Sequence, residues 1–288
     1  MKTKNNKAFT VVELITTIAV IAILVSVLLP SVYQVRKMAK NTMQKAQLAS
    51  LEAGLTIYKN DFGDYPASRG YNESGIASYT GAQTMTEALL GYDLLGVHPD
   101  TRFTAAGTDI NGDDLYPANP DEANLKSRKG PYIKREEISA FKAEDVFGGS
   151  VSSNLEGERY VICDVFKAVT RNITIYGGEE KAFKVGTPVL YYKANTSATD
   201  IDEMTETDKR IYNEDDNSAI VAQGTVKDGD SHVDFAGDEE FRTYITDPIA
   251  SITKARPVRA DSFLLISAGA DGEYGTGDDI CNFEPNFE

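Results

Sequence analysis

The chain has 288 residues, a formal charge of −15, and two cysteines. That length suits one or two domains with an ample core. Such acidity argues against a surface for nucleic acid or anionic lipid and suits either divalent cations or plain solubility. The absence of a CxxC or Cys/His cluster argues against zinc. Lys2, Lys4 and Lys7 precede an apolar run from Phe9 to Leu29 whose one charge is Glu13. Those 21 residues, at about 1.5 Å each, match a hydrocarbon core of about 30 Å. Lysines on the leading side predict a cytoplasmic N-terminus with the remainder outside. A bare carboxylate in the membrane costs about 2.5–3.5 kcal/mol, so Glu13 needs a partner. An ordinary signal peptide has a shorter apolar core followed by a small-x-small site. No such site follows here before Val32-Tyr33-Gln34. A plain anchor gives no reason for Glu13.

The stretch Ala8-Phe9-Thr10-Val11-Val12-Glu13-Leu14-Ile15 resembles the processing motif of type IV prepilins and type II secretion pseudopilins. That motif joins a basic leader, a small residue at the cut, an aromatic first residue and a glutamate four places on. Ala8 departs from the family, which nearly always has glycine there. Pro30 falls where the family has its helix-kinking proline. The resemblance implies cleavage between Ala8 and Phe9 by a prepilin peptidase, with methylation of the new amine. It also implies a role for Glu13 in assembly. The implied organisation is a leader at 1–8, a membrane and filament-core helix at 9–30, the amphipathic half of that helix at 31–62, and an α+β head at 63–288. The fold class is the pilin one, a long N-terminal helix packed on a small antiparallel sheet with long loops.

Beyond Pro30 the pattern stays helical. Leu48, Leu51, Leu55, Tyr58 and Phe62 follow 3-4 spacing and read as core. Ala39, Ala46, Ala49 and Ala53 lie beside them, and Arg36, Lys37, Lys40 and Lys45 supply a solvated face. The helix is predicted to stop near Asn60-Asp61-Phe62-Gly63, before Pro66. The Asp64-Tyr65-Pro66 turn is similar to the pseudopilin turn into the head. Thr84–Leu95 reads as a short amphipathic helix with Thr84 as cap and Glu87 at capping-box spacing. Residues 97–131 read as a long loop. Within it, Asp109-Ile110-Asn111-Gly112-Asp113-Asp114 matches the start of an EF-hand loop. Asp114 stands where glycine belongs and Pro120 where the closing glutamate belongs, so a surface turn is expected. Strands are predicted over Arg159–Phe166, Asn172–Tyr176, Pro188–Lys193 and Ser262–Ser267, with a polar acidic stretch over 194–240. An oxidising compartment permits a disulfide between Cys163 and Cys281, though two cysteines alone do not establish that they meet.

After the last strand comes Ala268-Gly269-Ala270-Asp271-Gly272-Glu273-Tyr274-Gly275-Thr276-Gly277-Asp278-Asp279-Ile280. Read on its residues, this is an acidic, glycine-rich turn that can aim backbone carbonyls inward beside carboxylates. It is similar to the C-terminal calcium loop of the major pseudopilin. That resemblance implies calcium held by Asp271, Asp278 and Asp279 with carbonyls of the Ser267–Ile280 loop. It leaves open whether Asp278 ligates or faces water.

Three functions are weighed. The resemblance implies a structural subunit of a type II secretion pseudopilus, assembled from the bacterial inner membrane. Its partners would be copies of itself, other pseudopilins, the assembly platform, and the peptidase and methyltransferase. A type IV pilin is the alternative. A membrane-anchored hydrolase or binding module is the remote one. Gly229-Asp230-Ser231-His232 superficially resembles a hydrolase GDS block, but the distant Asp-x-x-His is absent and Ser231, beside His232 in an acidic loop, reads as solvated. The chain is therefore expected not to be an enzyme.

Overall fold

A computed structural model describes residues 10–70, 79–149, 151–175, 177–198, 210–232, 235, 237–247, 249 and 256–287. Ala8 and Phe9 lie outside the described residues. The chain forms two compact units, Met1–Thr42 and Met43–Glu288.

A single helix, α1 (Val11–Phe62, 52 residues), supplies the described part of the first unit and opens the second. Its start is fixed by a capping box. The Glu13 carboxylate accepts from Thr10 N–H at 2.9 Å, and Glu13 N–H donates to Thr10 Oγ1 at 3.2 Å. The helix runs through Pro30. Every residue from Thr10 to Lys40 is exposed. Among the described residues this is the one helix long and apolar enough to cross a membrane.

In the second unit α1 turns a stripe inward. Gln44, Gln47, Leu48, Leu51, Gly54, Leu55 and Tyr58 are buried, at the 3-4 spacing of one helical face. Gly54 is required by close approach, since a Cβ there would lie 2.9 Å from both Ile133 and Leu89 side-chain atoms. The helix closes at Gly63, whose φ of 90° suits glycine alone and whose N–H reaches Lys59 O at 2.7 Å. Ala46, Ala49 and Ala53 lie beside the buried stripe and are all exposed.

Helix α2 (Gly81–Leu90) is buried along all ten residues. It begins earlier than the sequence suggests. Its cap is Thr80, paired with Gln83, whose Oε1 accepts Thr80 N–H at 3.0 Å, and Gly91 ends it at φ 95°. Glu87 is no cap partner. It is buried and accepts from Tyr79 Oη at 2.6 Å, Thr101 Oγ1 at 2.6 Å and Tyr116 Oη at 3.2 Å. The 97–131 stretch contains a short helix, α3 (Glu122–Ser127), capped by Asp121.

The strands form three small antiparallel sheets. β1 (Ser139–Lys142) leads into α4 (Ala143–Phe147) and pairs with β2 (Tyr160–Cys163). β3 (Val169–Thr174) pairs with β4 (Glu180–Val185). β5 (Leu190–Lys193), β6 (Phe263–Ser267) and β7 (Ile280–Cys281) form the third, with β6 central. Short helices α5 (Ser218–Val221) and α6 (Asp238–Ile245) lie between β5 and β6 in the chain. The observed architecture is the α+β, pilin-like one expected. β6 alternates between two cores. Phe263 and Leu265 join Leu51, Leu55 and Met85, while Leu264 and Ile266 join Tyr192, Phe241 and Tyr244.

The strand expected over Arg159–Phe166 shrinks to four residues. The chain turns at Lys167, which takes φ 55°. Cys163 and Cys281 are both free thiols in this structure. The two cysteines sit in different sheets, and Cys281 Sγ rests 3.1 Å from Tyr244 Oη.

Candidate functional site

Two places carry the chain's unusual chemistry. One is the exposed apolar surface of α1. Val11, Val12, Ile15, Ile18, Leu24, Val27 and Leu29 are all more than half exposed. A monomer in water does not normally leave so continuous an apolar surface uncovered. Glu13 sits at its tip, held by Thr10 within the same chain.

The other is the acidic turn between β6 and β7. Gly269 makes the first bend at φ 66°, where a Cβ would strike Asp278 O at 2.4 Å. That closeness brings the two ends of the loop together. Asp278 Oδ2 accepts from Ala270 N–H at 2.7 Å and Asp271 N–H at 3.3 Å. Thr276 Oγ1 lies 2.9 Å from Asp271 Oδ2 and 2.8 Å from Asp278 Oδ1. One hydroxyl has one proton, so it satisfies only one carboxylate at a time. Burial raises the Asp271 carboxyl, and its contact with Asp278 raises it further. Burial also raises Asp278, but bonds from Asp271, Thr276 and the two amides outweigh it and leave Asp278 lowered. Two carboxyls sharing one site in this way share a proton or a cation.

Asp279 turns the other way. Its Oδ2 accepts from Tyr244 Oη at 2.5 Å and Gly275 N–H at 2.8 Å, and its buried Oδ1 meets no partner. Burial pushes this carboxyl up to about 7 against those two bonds. The three aspartates therefore divide into a facing pair and a separate tyrosine-bound residue. Among the described residues, no group of three or more His, Cys, Asp or Glu is placed to hold a metal ion. Asp271, Asp278 and Thr276 present only oxygen donors at this bend, the ligand type a hard cation takes.

The EF-like segment behaves differently. Asp109 Oδ1 accepts from Asn111 N–H at 2.8 Å and Asp113 N–H at 2.9 Å, so the turn spends its first carboxylate on its own amides. His232 is not solvated. It is 2% exposed, although Ser231 beside it is exposed. Tyr274 N–H donates to His232 Nδ1 at 3.2 Å, so the neutral ring carries its proton on Nε2 and has no lone pair left for a base.

Sequence reasoning missed Gln44 and Gln47. Gln44 Oε1 accepts Val165 N–H at 2.9 Å and Gln47 Nε2 donates to Cys163 O at 2.9 Å, tying α1 to the chain around the end of β2. Their spacing with Leu48 and Leu51 was the available signal. Tyr244, beneath the acidic turn, had none.

A long N-terminal helix with an exposed apolar first part, leading into small antiparallel sheets, is the arrangement of a type IV pilin-like protein. The chain is 29% identical over 124 residues to the type IV wide pilus major component PilA4 of Thermus thermophilus. The match covers 43% of this chain and 89% of that protein, a weak homology that fits the type IV pilin-like class. No family model and no solved structure matches the chain.

Proposed function

We propose that this protein is a non-enzymatic filament subunit of the type IV pilin-like kind. It is anchored by residues 9–30 in the inner membrane, with its N-terminus cytoplasmic and its head outside. The observation that carries this reading is the exposed apolar length of α1. Lipid covers it before assembly and neighbouring copies cover it afterwards. A prepilin peptidase cuts between Ala8 and Phe9, and the new Phe9 amine of one copy pairs with Glu13 of the next. In the free subunit Thr10 supplies Glu13 with donors, so the carboxylate is not left bare while it waits.

The preferred setting is a type II secretion pseudopilus, on the strength of the acidic C-terminal turn. There calcium is held by Asp271 and Asp278, with Thr276 and loop carbonyls beside them, and it neutralises the facing carboxylates and fixes the bend. A surface pilus is the second reading. It is favoured by the relative, which is a pilus component.

The test is made in the native host. N-terminal sequencing of mature protein should begin at Phe9, and Glu13→Ala should enter the membrane normally yet fail to enter sheared filaments. A mature start at Met1, or normal filament yield from Glu13→Ala, contradicts the reading. Loss of secretion without loss of surface filaments selects the pseudopilus, and the reverse selects the pilus.

A further inference from the structure

The hairpin of β3 and β4 belongs neither to the acidic turn nor to α1. Its register is continuous, from Val169 opposite Val185 to Thr174 opposite Glu180. Just past that last pair, Ile175 N–H donates to Glu179 O at 2.9 Å. Bonded and non-bonded pairs alternate along an antiparallel ladder. The bonded pairs are therefore Ile173–Lys181, Arg171–Phe183 and Val169–Val185, and Glu180, Ala182 and Lys184 turn their N–H and C=O groups to the outer side of β4. Among the described residues, no backbone group bonds to those outward groups. The β3 side is different, since Arg171 Nε ties it to α4 by donating to Val146 O at 3.1 Å.

One face of the hairpin anchors it. Ile173 and Val185 are buried, and Phe183 meets Phe141 edge-on at 6.1 Å. On the other face Glu180, Ala182 and Lys184 are exposed, as is Lys181 at the tip. An open edge six residues long is a template for another strand. The residues of β4 say which strand fits. Set β4 antiparallel to β4 of a second copy, with Ala182 opposite Ala182, and the outward groups of both edges meet. Glu180 of each copy then stands opposite Lys184 of the other, twice over, and Lys181 stands opposite Phe183. The neighbouring registers fail. One sets Lys181 opposite Lys181, a like-charge pair, and the other sets Lys184 opposite Ala182.

We propose that the outer edge of β4 is an interaction surface for a second copy of this chain, the two β4 strands pairing antiparallel about a two-fold axis at Ala182. Backbone bonds hold the pair, and the two Glu180–Lys184 contacts set its register. Such a contact is self-complementary and closes on two copies. It joins heads in pairs, is separate from the packing of α1, and does not depend on which filament the protein builds.

The test uses the full chain in lipid nanodiscs loaded with one copy each, so that α1 cannot bring two heads together. A short bismaleimide links thiols, and the parent chain gives the background from Cys163 and Cys281. Ala182→Cys places two thiols one strand spacing apart, about 5 Å, and should give a crosslinked dimer. Asn172→Cys lies opposite Ala182 on β3 of the same hairpin, but its two copies stand three spacings apart, about 14 Å, and it should give at least fivefold less. Added to Ala182→Cys, Glu180→Lys or Lys184→Glu alone should lower the dimer yield at least fivefold. Both reversals together recreate the opposite-charge pairs and should restore it, which a merely damaged hairpin would not do. Three results overturn the proposal: only monomer from Ala182→Cys, equal dimer from Ala182→Cys and Asn172→Cys, or a double reversal that yields no more dimer than the single ones.

Discussion

The two parts of α1 both carry large apolar side chains, in opposite circumstances. From Val11 to Met43 large apolar side chains are exposed on every side, Leu24 at 57% and Leu29 at 66%. From Leu48 to Tyr58 they are shut away, with Leu51 and Leu55 at 0%. The difference lies in what else the chain supplies. Leu48, Leu51 and Leu55 meet Met85, Leu89, Phe263 and Leu265 of the head, whereas the earlier stretch must find its partners outside the chain. The same contrast separates the acidic turns. Asp109 is satisfied by amides of its own loop, while Asp271 and Asp278, which also accept from loop amides, in addition share the Thr276 hydroxyl and face each other.

The largest expected effect lies on the buried side. Leu51→Ala should cost the head about 2–5 kcal/mol, because a fully enclosed leucine leaves a cavity on truncation. Denaturant unfolding of the full chain in nanodiscs, followed by head tyrosine signal, measures it. A loss below about 1 kcal/mol would place Leu51 outside the core.

Asp216 provides a pH-dependent counterpart. Its buried carboxyl accepts from Ser68 Oγ, and burial pushes it up to about 7. In the unfolded chain an aspartate ionises near pH 3.9. Between roughly pH 4 and 7 the unfolded chain has released this proton and the folded chain retains it, so stability falls as pH rises through that window. The contribution is at most about 4 kcal/mol. Asp216→Asn should flatten the slope between roughly pH 4 and 7. An unchanged slope would mean the carboxyl is already ionised when folded.

Calcium sharpens the comparison of the two turns. Binding should stabilise the head by about 2.7 kcal/mol at a hundredfold excess over the dissociation constant, and magnesium should substitute poorly. Asp271→Ala and Asp278→Ala should each abolish the rise in melting temperature, while Asp113→Ala should leave it intact. A melting temperature indifferent to calcium and chelator makes the C-terminal turn an ordinary acidic one. The smallest effect belongs to the exposed part of α1. Leu24→Ala should change head stability by less than about 0.5 kcal/mol, and a larger loss would show that the head itself covers this surface.

Much of this fold was legible because long periodic patterns dominate it. The 3-4 stripe from Leu48 to Tyr58 and the run Phe263–Ile266 announce buried elements through spacing and burial propensity alone. β4 was not legible, because Glu180, Lys181 and Lys184 are exposed and its pairing with β3 depends on a hairpin, not on apolar content. The start of α2 was missed because Gln83 serves its cap in the place more often held by glutamate. The acidic turn was visible as composition. Its division into Asp271–Asp278 and Asp279–Tyr244 arises from α6, which is distant in sequence. Ser231 is exposed as its polar neighbours suggest, but nothing in that acidic stretch marks His232 as buried against the Tyr274 amide.

The central claim is that the exposed part of α1 is the surface on which copies meet. A photo-crosslinking phenylalanine analogue placed at position 24 and, separately, at position 51, in cells that assemble the filament, tests it most directly. Position 24 should give a ladder of self-crosslinked species that disappears with Glu13→Ala, and position 51 should crosslink only within the chain. Monomer alone from position 24, or equal ladders from both positions, would contradict the account.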